Sequence, residues 1–103
     1  MKYEDYVELN RDIVDTGKRV LKVAKEVFGN PEKDWDDIKE TIKISSRKIS
    51  KDDFEEFKDN KLFKSGVEKK KKELEELKKL EVEYNKQKVS QVKEEILHYS
   101  KNI

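Results

Sequence analysis

The sequence predicts an all-α fold: a small helical bundle with a long N-terminal helix, two shorter middle helices and a long C-terminal, coiled-coil-like helix. Three observations predict it. Apolar residues recur at helical spacing through most of the chain. A single Pro and three Gly leave long stretches without a helix breaker. Capping residues precede several of these stretches. We expect a single domain over residues 1–103.

Composition alone leaves disorder open, and the pattern of the residues argues against it. Charged residues make up 48% of the chain and hydrophobic residues 33%, whereas soluble domains average about 25% charged and about 45–50% apolar residues, Gly included. However, the formal net charge is only +1, and the apolar residues are periodic. We therefore expect helices that each bury a narrow apolar stripe and expose a wide solvated face.

The first helix is predicted over residues 3–28. Apolar pairs recur every seven positions, and a second column of residues with the same spacing lies on the same helical face. The pairs are Tyr6-Val7, Ile13-Val14, Val20-Leu21 and Val27-Phe28, and the column contains Tyr3, Asn10, Gly17 and Ala24. Gly29 and Asn30-Pro31 then end the helix.

Gly17 leaves two interpretations open. It either breaks the first helix into two shorter ones, or it allows another backbone to approach closely. A Gly inside a helix costs about 1 kcal/mol relative to Ala. The seven-residue phase is the same on both sides of Gly17, which favours a continuous helix.

Two middle helices are predicted over residues 31–47 and 51–59. The first begins with Asn30 as N-cap and Pro31 at the first helical position. Its residues 41–45 alternate and are rich in β-branched side chains, a pattern typical of a strand. Helix is favoured because a lone strand has no pairing partner elsewhere in the chain. Ser50 resembles the N-cap of the second middle helix.

The last helix is predicted over residues 66–100, with Ser65 as its cap. Its apolar stripe has two parts, and the step of five residues from Tyr84 to Val89 shifts the phase between them. Such a shift indicates a stutter, a kink or a change of packing partner. We expect the first and last helices to pack antiparallel, with the middle helices covering one end.

The second part of this stripe is predicted to overhang the first helix and to mediate self-association as a homodimer. Its residues are Val89, Val92, Ile96, Tyr99 and Ile103.

No enzymatic chemistry is predicted. The chain has no Cys, which excludes disulfides and Cys-ligated zinc. Glu95 and His98 have the spacing of a carboxylate di-iron motif, but such a site requires two of these motifs. We expect no catalytic residue, no metal and no cofactor. No apolar run of about 18 residues and no secretory signal is present, so the expected location is cytoplasmic, without membrane binding.

The leading functional hypothesis is a non-enzymatic protein-binding module. It would be a small helical adaptor or inhibitor, of a size that phages and mobile elements encode, docking a helical or acidic face on a protein partner. The acidic residues proposed for this face are Asp34, Asp36, Asp37, Asp52, Asp53, Glu55 and Glu56.

Two alternatives remain. The first is a nucleic-acid-associated regulator that uses the Lys-rich last helix, through Lys69, Lys70, Lys71, Lys72, Lys78 and Lys79. It is less favoured because these lysines alternate with glutamates at i,i+4 spacing, the pattern of a solvated helix, and because Arg is scarce. The second is a structural coiled-coil subunit of a larger assembly.

Overall fold

The protein contains four helices in a computed structural model that describes residues 1–29 and 35–101, and the side chains of residues 1–29 and 35–93. They are α1 (Tyr3–Phe28), α2 (Trp35–Ser45), α3 (Lys51–Phe57) and α4 (Lys61–Lys101). The described residues contain no strand. This confirms the predicted all-α class, with long first and last helices and two short helices between them.

The first helix matches its predicted bounds and is continuous through Gly17. It ends at Gly29, whose φ of 78° is in the left-handed region and whose N–H donates to the Lys25 carbonyl oxygen at 2.9 Å. Gly17 is buried, and a neighbouring group packs closely against it, which agrees with the interpretation that Gly17 allows a close approach. The approaching group is the side chain of Ile42 in α2, however, and not a backbone.

The two middle helices are shorter than predicted. Residues 41–45 are helical, as favoured, but α2 ends at Ser45, and the Ser46 hydroxyl donates to the Ile42 carbonyl oxygen at 2.7 Å. Residues 31–34 of the predicted helix lie outside the described residues. Ser50 caps α3 as predicted, its hydroxyl accepting from the Asp53 N–H at 3.2 Å. The helix ends at Phe57, two residues early.

The last helix begins earlier than predicted, at Lys61, and Ser65 is not its cap. Asn60 precedes the helix, and its side-chain oxygen accepts from the Leu62 N–H at 2.8 Å and the Phe63 N–H at 3.4 Å. The first turn is also fixed by packing, because the Phe63 ring lies 5.3 Å from the ring of Tyr6. Asn60 and Ser65 are both suitable N-cap residues, and the helix begins after Asn60, which lies next to the contact between Phe63 and Tyr6.

The long helices α1 and α4 pack parallel, so the predicted antiparallel arrangement is wrong. Lys70 contacts Asn10 and Glu81 contacts Arg19, partners separated by 60 and 62 residues respectively. Lys88 contacts Glu26, again 62 residues away. An almost constant separation along both helices means that they run in the same direction.

The parallel arrangement follows from the path of the two middle helices. Trp35, at the start of α2, packs on Phe28 at the end of α1, with ring centroids 6.2 Å apart. Phe54 of α3 packs on Tyr3 at the start of α1, at 5.6 Å. The chain has therefore returned to the start of α1 before α4 begins, and α4 runs along α1 from the same end.

Two buried clusters hold the helices together around α1. The larger joins α1, α2 and α4, and its buried members are Ile13, Val20, Ala24, Trp35, Ile38, Leu74 and Leu77. The smaller joins the first two turns of α1 and α4 to α3, and its buried members are Tyr6, Phe54 and Val67.

Candidate functional site

The acidic residues proposed for partner binding do not form one face. Asp36 and Asp37 lie in the first turn of α2, near the C-terminal end of α1. The other four described residues lie in α3, near the N-terminal end of α1. The length of α1 separates these positions, roughly 38 Å at about 1.5 Å per residue. Asp34 lies outside the described residues. All six described acidic residues are exposed, namely Asp36, Asp37, Asp52, Asp53, Glu55 and Glu56.

The lysines proposed for nucleic-acid contact are also not one surface. Lys70 is half-buried, whereas the other five are exposed. Lys71 forms an ion pair with Glu68 at 3.3 Å. Four consecutive residues necessarily point in four directions around a helix, so the run does not present a row of lysines to a phosphate backbone.

The ammonium of Lys70 is held by neutral oxygens at the junction of three helices. Its Nζ donates to Asn10 Oδ1 at 2.8 Å and to Ser45 Oγ at 3.5 Å. Asn10 is fixed in turn by its own donation to the Tyr6 carbonyl oxygen at 3.1 Å. Among the described residues no carboxylate forms an ion pair with Lys70. Burial lowers the pKa of Lys70, and the nearby charge of Glu73 opposes this only in part.

A cleft opens next to this junction, between α1 and the segment that connects α2 to α3. Its volume is about 440 Å³, and Asn10 and Ser45 both line it. Three cationic side chains line it as well, Arg11 from α1 and Arg47 and Lys48 from the connecting segment. No Asp or Glu is among the described residues that line it. We call this the cationic cleft.

A second surface lies on α4, on the side that faces away from α1. Val82 and Val89 are 55% and 53% exposed. Lysines surround the two grooves that Val82 and Val89 line, namely Lys78, Lys79, Lys86 and Lys93. We call these two valines and four lysines the outer face of α4.

The outer face explains the phase shift in the apolar stripe of α4. Leu74, Leu77 and Tyr84 pack toward α1 and α2. Beyond Tyr84 the positions facing α1 are polar: Lys88 pairs with Glu26, and the Gln91 side chain donates to the Val27 carbonyl oxygen at 3.3 Å. α4 is one continuous helix across the shift, and beyond it Val89 no longer packs against α1 but is exposed.

The residues predicted to mediate self-association are only partly described. Val89 and Val92 are exposed on α4. The side chains of Ile96 and Tyr99, and the whole of Ile103, lie outside the described residues, as do those of Glu95 and His98.

Comparison of the chain with protein-family models, curated proteins and solved structures finds no match. Within the described side chains, no three His, Asp or Glu residues are grouped so as to hold a metal ion. None of the helices in residues 1–29 and 35–101 has a run of apolar residues sufficient to cross a bilayer. The candidate sites therefore rest on the geometry of this chain alone.

Replacing Lys70 with methionine is expected to change how stability depends on pH. Because burial lowers the pKa of Lys70 from its ordinary value of 10.5, the unfolded chain keeps this proton at pH values where the folded chain has released it. The stability contributed by this group therefore rises as pH increases from the folded pKa toward 10.5. The free energy of unfolding should be measured in urea from pH 7 to 10.5. That of wild type should rise relative to that of Lys70→Met as the pH increases, so that the variant is at its greatest disadvantage at the alkaline end.

Lys69→Met is the matched control, because Lys69 is the exposed neighbour of Lys70. The difference in stability between the two variants should therefore change with pH. A difference that stays constant over the same pH range would contradict the description of Lys70 as a half-buried cation.

Proposed function

We propose that the protein is a non-enzymatic binding module that holds an amphipathic helix of a partner protein against the outer face of α4. The observation that carries the proposal is the row of two exposed valines, Val82 and Val89, on a helix whose other side is already packed. Val82 and Val89 belong to neither buried cluster of the described residues. Fully burying such a side chain contributes about 1.5–3 kcal/mol, and a helix laid along the row is the recognition mode that matches its spacing.

Charge indicates the chemistry of the partner helix. Four lysines and one glutamate, Glu83, line the grooves beside the valines. A partner helix with an apolar stripe flanked by Asp and Glu would place opposite charges next to these lysines. Complementary charge of this kind contributes to specificity and to the rate of association.

The same lysines disfavour a second copy of the chain as the occupant. An antiparallel pair of α4 helices centred between Val89 and Ser90 would place Lys86 beside Lys93 of the second copy. A parallel pair would place each lysine beside its own counterpart. Both arrangements bring like charges together, which is destabilising. We therefore propose a heterologous partner for this face, in preference to the homodimer that the sequence predicts.

The outer face of α4 is also preferred to the acidic residues as the docking face. The acidic residues divide between α2 and α3, at opposite ends of α1. The valines and lysines of the outer face lie on one continuous helix. A single partner helix can therefore contact all of them at once.

Two synthetic helical peptides test this proposal. Both carry the same leucine stripe; glutamates flank it in one and lysines in the other. Fluorescence anisotropy should show saturable binding of the glutamate-flanked peptide and at least tenfold weaker binding of the lysine-flanked one. Val82→Asp combined with Val89→Asp should weaken binding of the first peptide at least tenfold, the equivalent of about 1.4 kcal/mol.

Leu62→Asp is the matched control, since Leu62 is 83% exposed in the first turn of α4, away from the outer face. It should bind the glutamate-flanked peptide like wild type. Circular dichroism should show that all variants remain helical. Equal binding of both peptides, or loss of binding in the control, would contradict the proposal. So would sedimentation showing a dimer that the double variant abolishes, because the occupant would then be a second copy.

A further inference from the structure

We propose that the cationic cleft binds the phosphate group of a small molecule. The cleft lies between α1 and residues 46–49 of the connection to α3, whereas the outer face of α4 starts near Lys78. The inference is therefore independent of the proposed function.

The first argument is the charge of the cleft walls. Arg11 lies on one wall and Arg47 and Lys48 on the other, and none of the three forms an ion pair with a described carboxylate. The chain as a whole is nearly balanced, with 25 Lys and Arg against 24 Asp and Glu. Three cations around one concavity without an acidic residue are thus a local excess of positive charge, which an anion would offset.

The second argument is the half-buried cation next to the cleft, Lys70. Lys70 does not line the cleft itself, but its ammonium donates to Asn10 Oδ1 and Ser45 Oγ, and both of these residues line the cleft. Both of its hydrogen-bond partners are neutral, so its positive charge is not cancelled by them. An anion in the cleft would face three cations at the walls and a fourth behind them. Electrostatic attraction increases where water is partly excluded.

The chemistry of the lining favours phosphate over carboxylate. A phosphate monoester carries about −1.5 to −2 charge near pH 7, which suits several cations better than the single charge of a carboxylate. A guanidinium group binds phosphate oxygens through two parallel hydrogen bonds, and the cleft offers two such groups. Val7, Val14 and Ile49 add an apolar part to the lining, which fits an aryl or alkyl group on the ester. A volume of about 440 Å³ is within the range of about 300–1,000 Å³ typical of small-molecule sites.

The test is an NMR titration of the ¹⁵N-labelled protein with phenyl phosphate, inorganic phosphate and benzoate. Phenyl phosphate should give saturable shifts centred on the amides of Arg11 and of residues 45–49. Its Kd should be at least fivefold lower than that of inorganic phosphate, which lacks the apolar group, and of benzoate, which carries less charge. Arg11→Gln combined with Arg47→Gln should raise the Kd for phenyl phosphate at least tenfold.

Lys22→Gln combined with Lys25→Gln is the matched control, because it also removes two exposed cations from the protein, on α1 but outside the cleft. Its Kd should stay within twofold of wild type. Shifts spread along the lysines of α4, or an equal loss of affinity in the control, would overturn the proposal. It would also be overturned if a ten-residue oligothymidylate gave the cleft shifts at a lower concentration than phenyl phosphate, since the phosphate would then be that of a nucleic acid. None of these variants touches Val82 or Val89, so this result and the peptide result are separable.

Discussion

Replacing Phe54 with alanine is expected to lower the free energy of unfolding by about 3–5 kcal/mol. Phe54 is 1% exposed and is the buried residue that α3 contributes to the smaller cluster. Its ring lies 5.5 Å from that of Tyr6 and 5.8 Å from that of Phe63. Its removal leaves a cavity where α1, α3 and α4 meet. Small domains have a total stability of about 5–15 kcal/mol, so urea unfolding should show a large fall in the midpoint or a chain that is already unfolded.

Phe57→Ala provides the matched control in the same helix. Phe57 is 45% exposed, so the same truncation should cost less than about 1 kcal/mol, since much of the side chain already contacts water. Similar losses for the two variants would contradict the packing of α3 described above, because they would mean that both rings are equally buried.

Replacing Gly17 with valine is expected to lower the free energy of unfolding by about 2–3 kcal/mol, because overpacking a filled site costs about 1–3 kcal/mol and occasionally more. A Cβ atom at Gly17 would lie 2.6 Å from Cγ1 and 2.9 Å from Cδ1 of Ile42, closer than carbon atoms approach. The clash would push α2 away from α1. Thermal and urea unfolding would measure the loss.

Gly66→Val makes the same change within α4, where nothing lies within 4 Å of the added Cβ. It should leave stability unchanged or raise it by a few tenths of a kcal/mol, because valine favours a helix slightly more than glycine does. Combining Gly17→Val with Ile42→Ala should recover part of the loss, as expected for residues in contact. Additive losses in the double variant would show that Ile42 is not the obstacle.

The individual helices could be predicted because their signals are local. The seven-residue columns of α1 and the cap at Gly29 lie within the helix they define, and the bounds of α1 were predicted correctly. The end of α2 and the start of α4 were less well predicted. At the start of α4, both Asn60 and Ser65 are suitable caps, and the tertiary contact of Phe63 with Tyr6 decides between them.

The direction of α4 could not be predicted from periodicity. An apolar stripe indicates which side of a helix is buried but gives no information on whether its neighbour is parallel or antiparallel. The direction depends on how far α2 and α3 carry the chain back along α1, from Phe28 to Tyr3.

The candidate sites depend even more on tertiary structure. In the sequence, Lys70 is one of four consecutive lysines, and nothing distinguishes it from its neighbours. Its role appears only when α4 is placed against Asn10 and Ser45. Arg11 and Arg47 are likewise distant in the sequence and share a cleft because α2 runs back along α1. The outer face of α4 did give a local signal in the sequence, the five-residue step before Val89. That step alone fitted a stutter, a kink or a change of packing partner equally well.

The parallel packing of α1 and α4 also determines how far apart two attached molecules would be. Both helices start at the same end of the protein, where Tyr6 meets Phe63, and α4 continues for 41 residues. A tether joined to the chain near Tyr3 and another joined near Lys101 would emerge roughly 60 Å apart, at about 1.5 Å per helical residue. An antiparallel pair would have brought the same two attachment points toward one end, whereas the parallel arrangement keeps them at opposite ends of the protein.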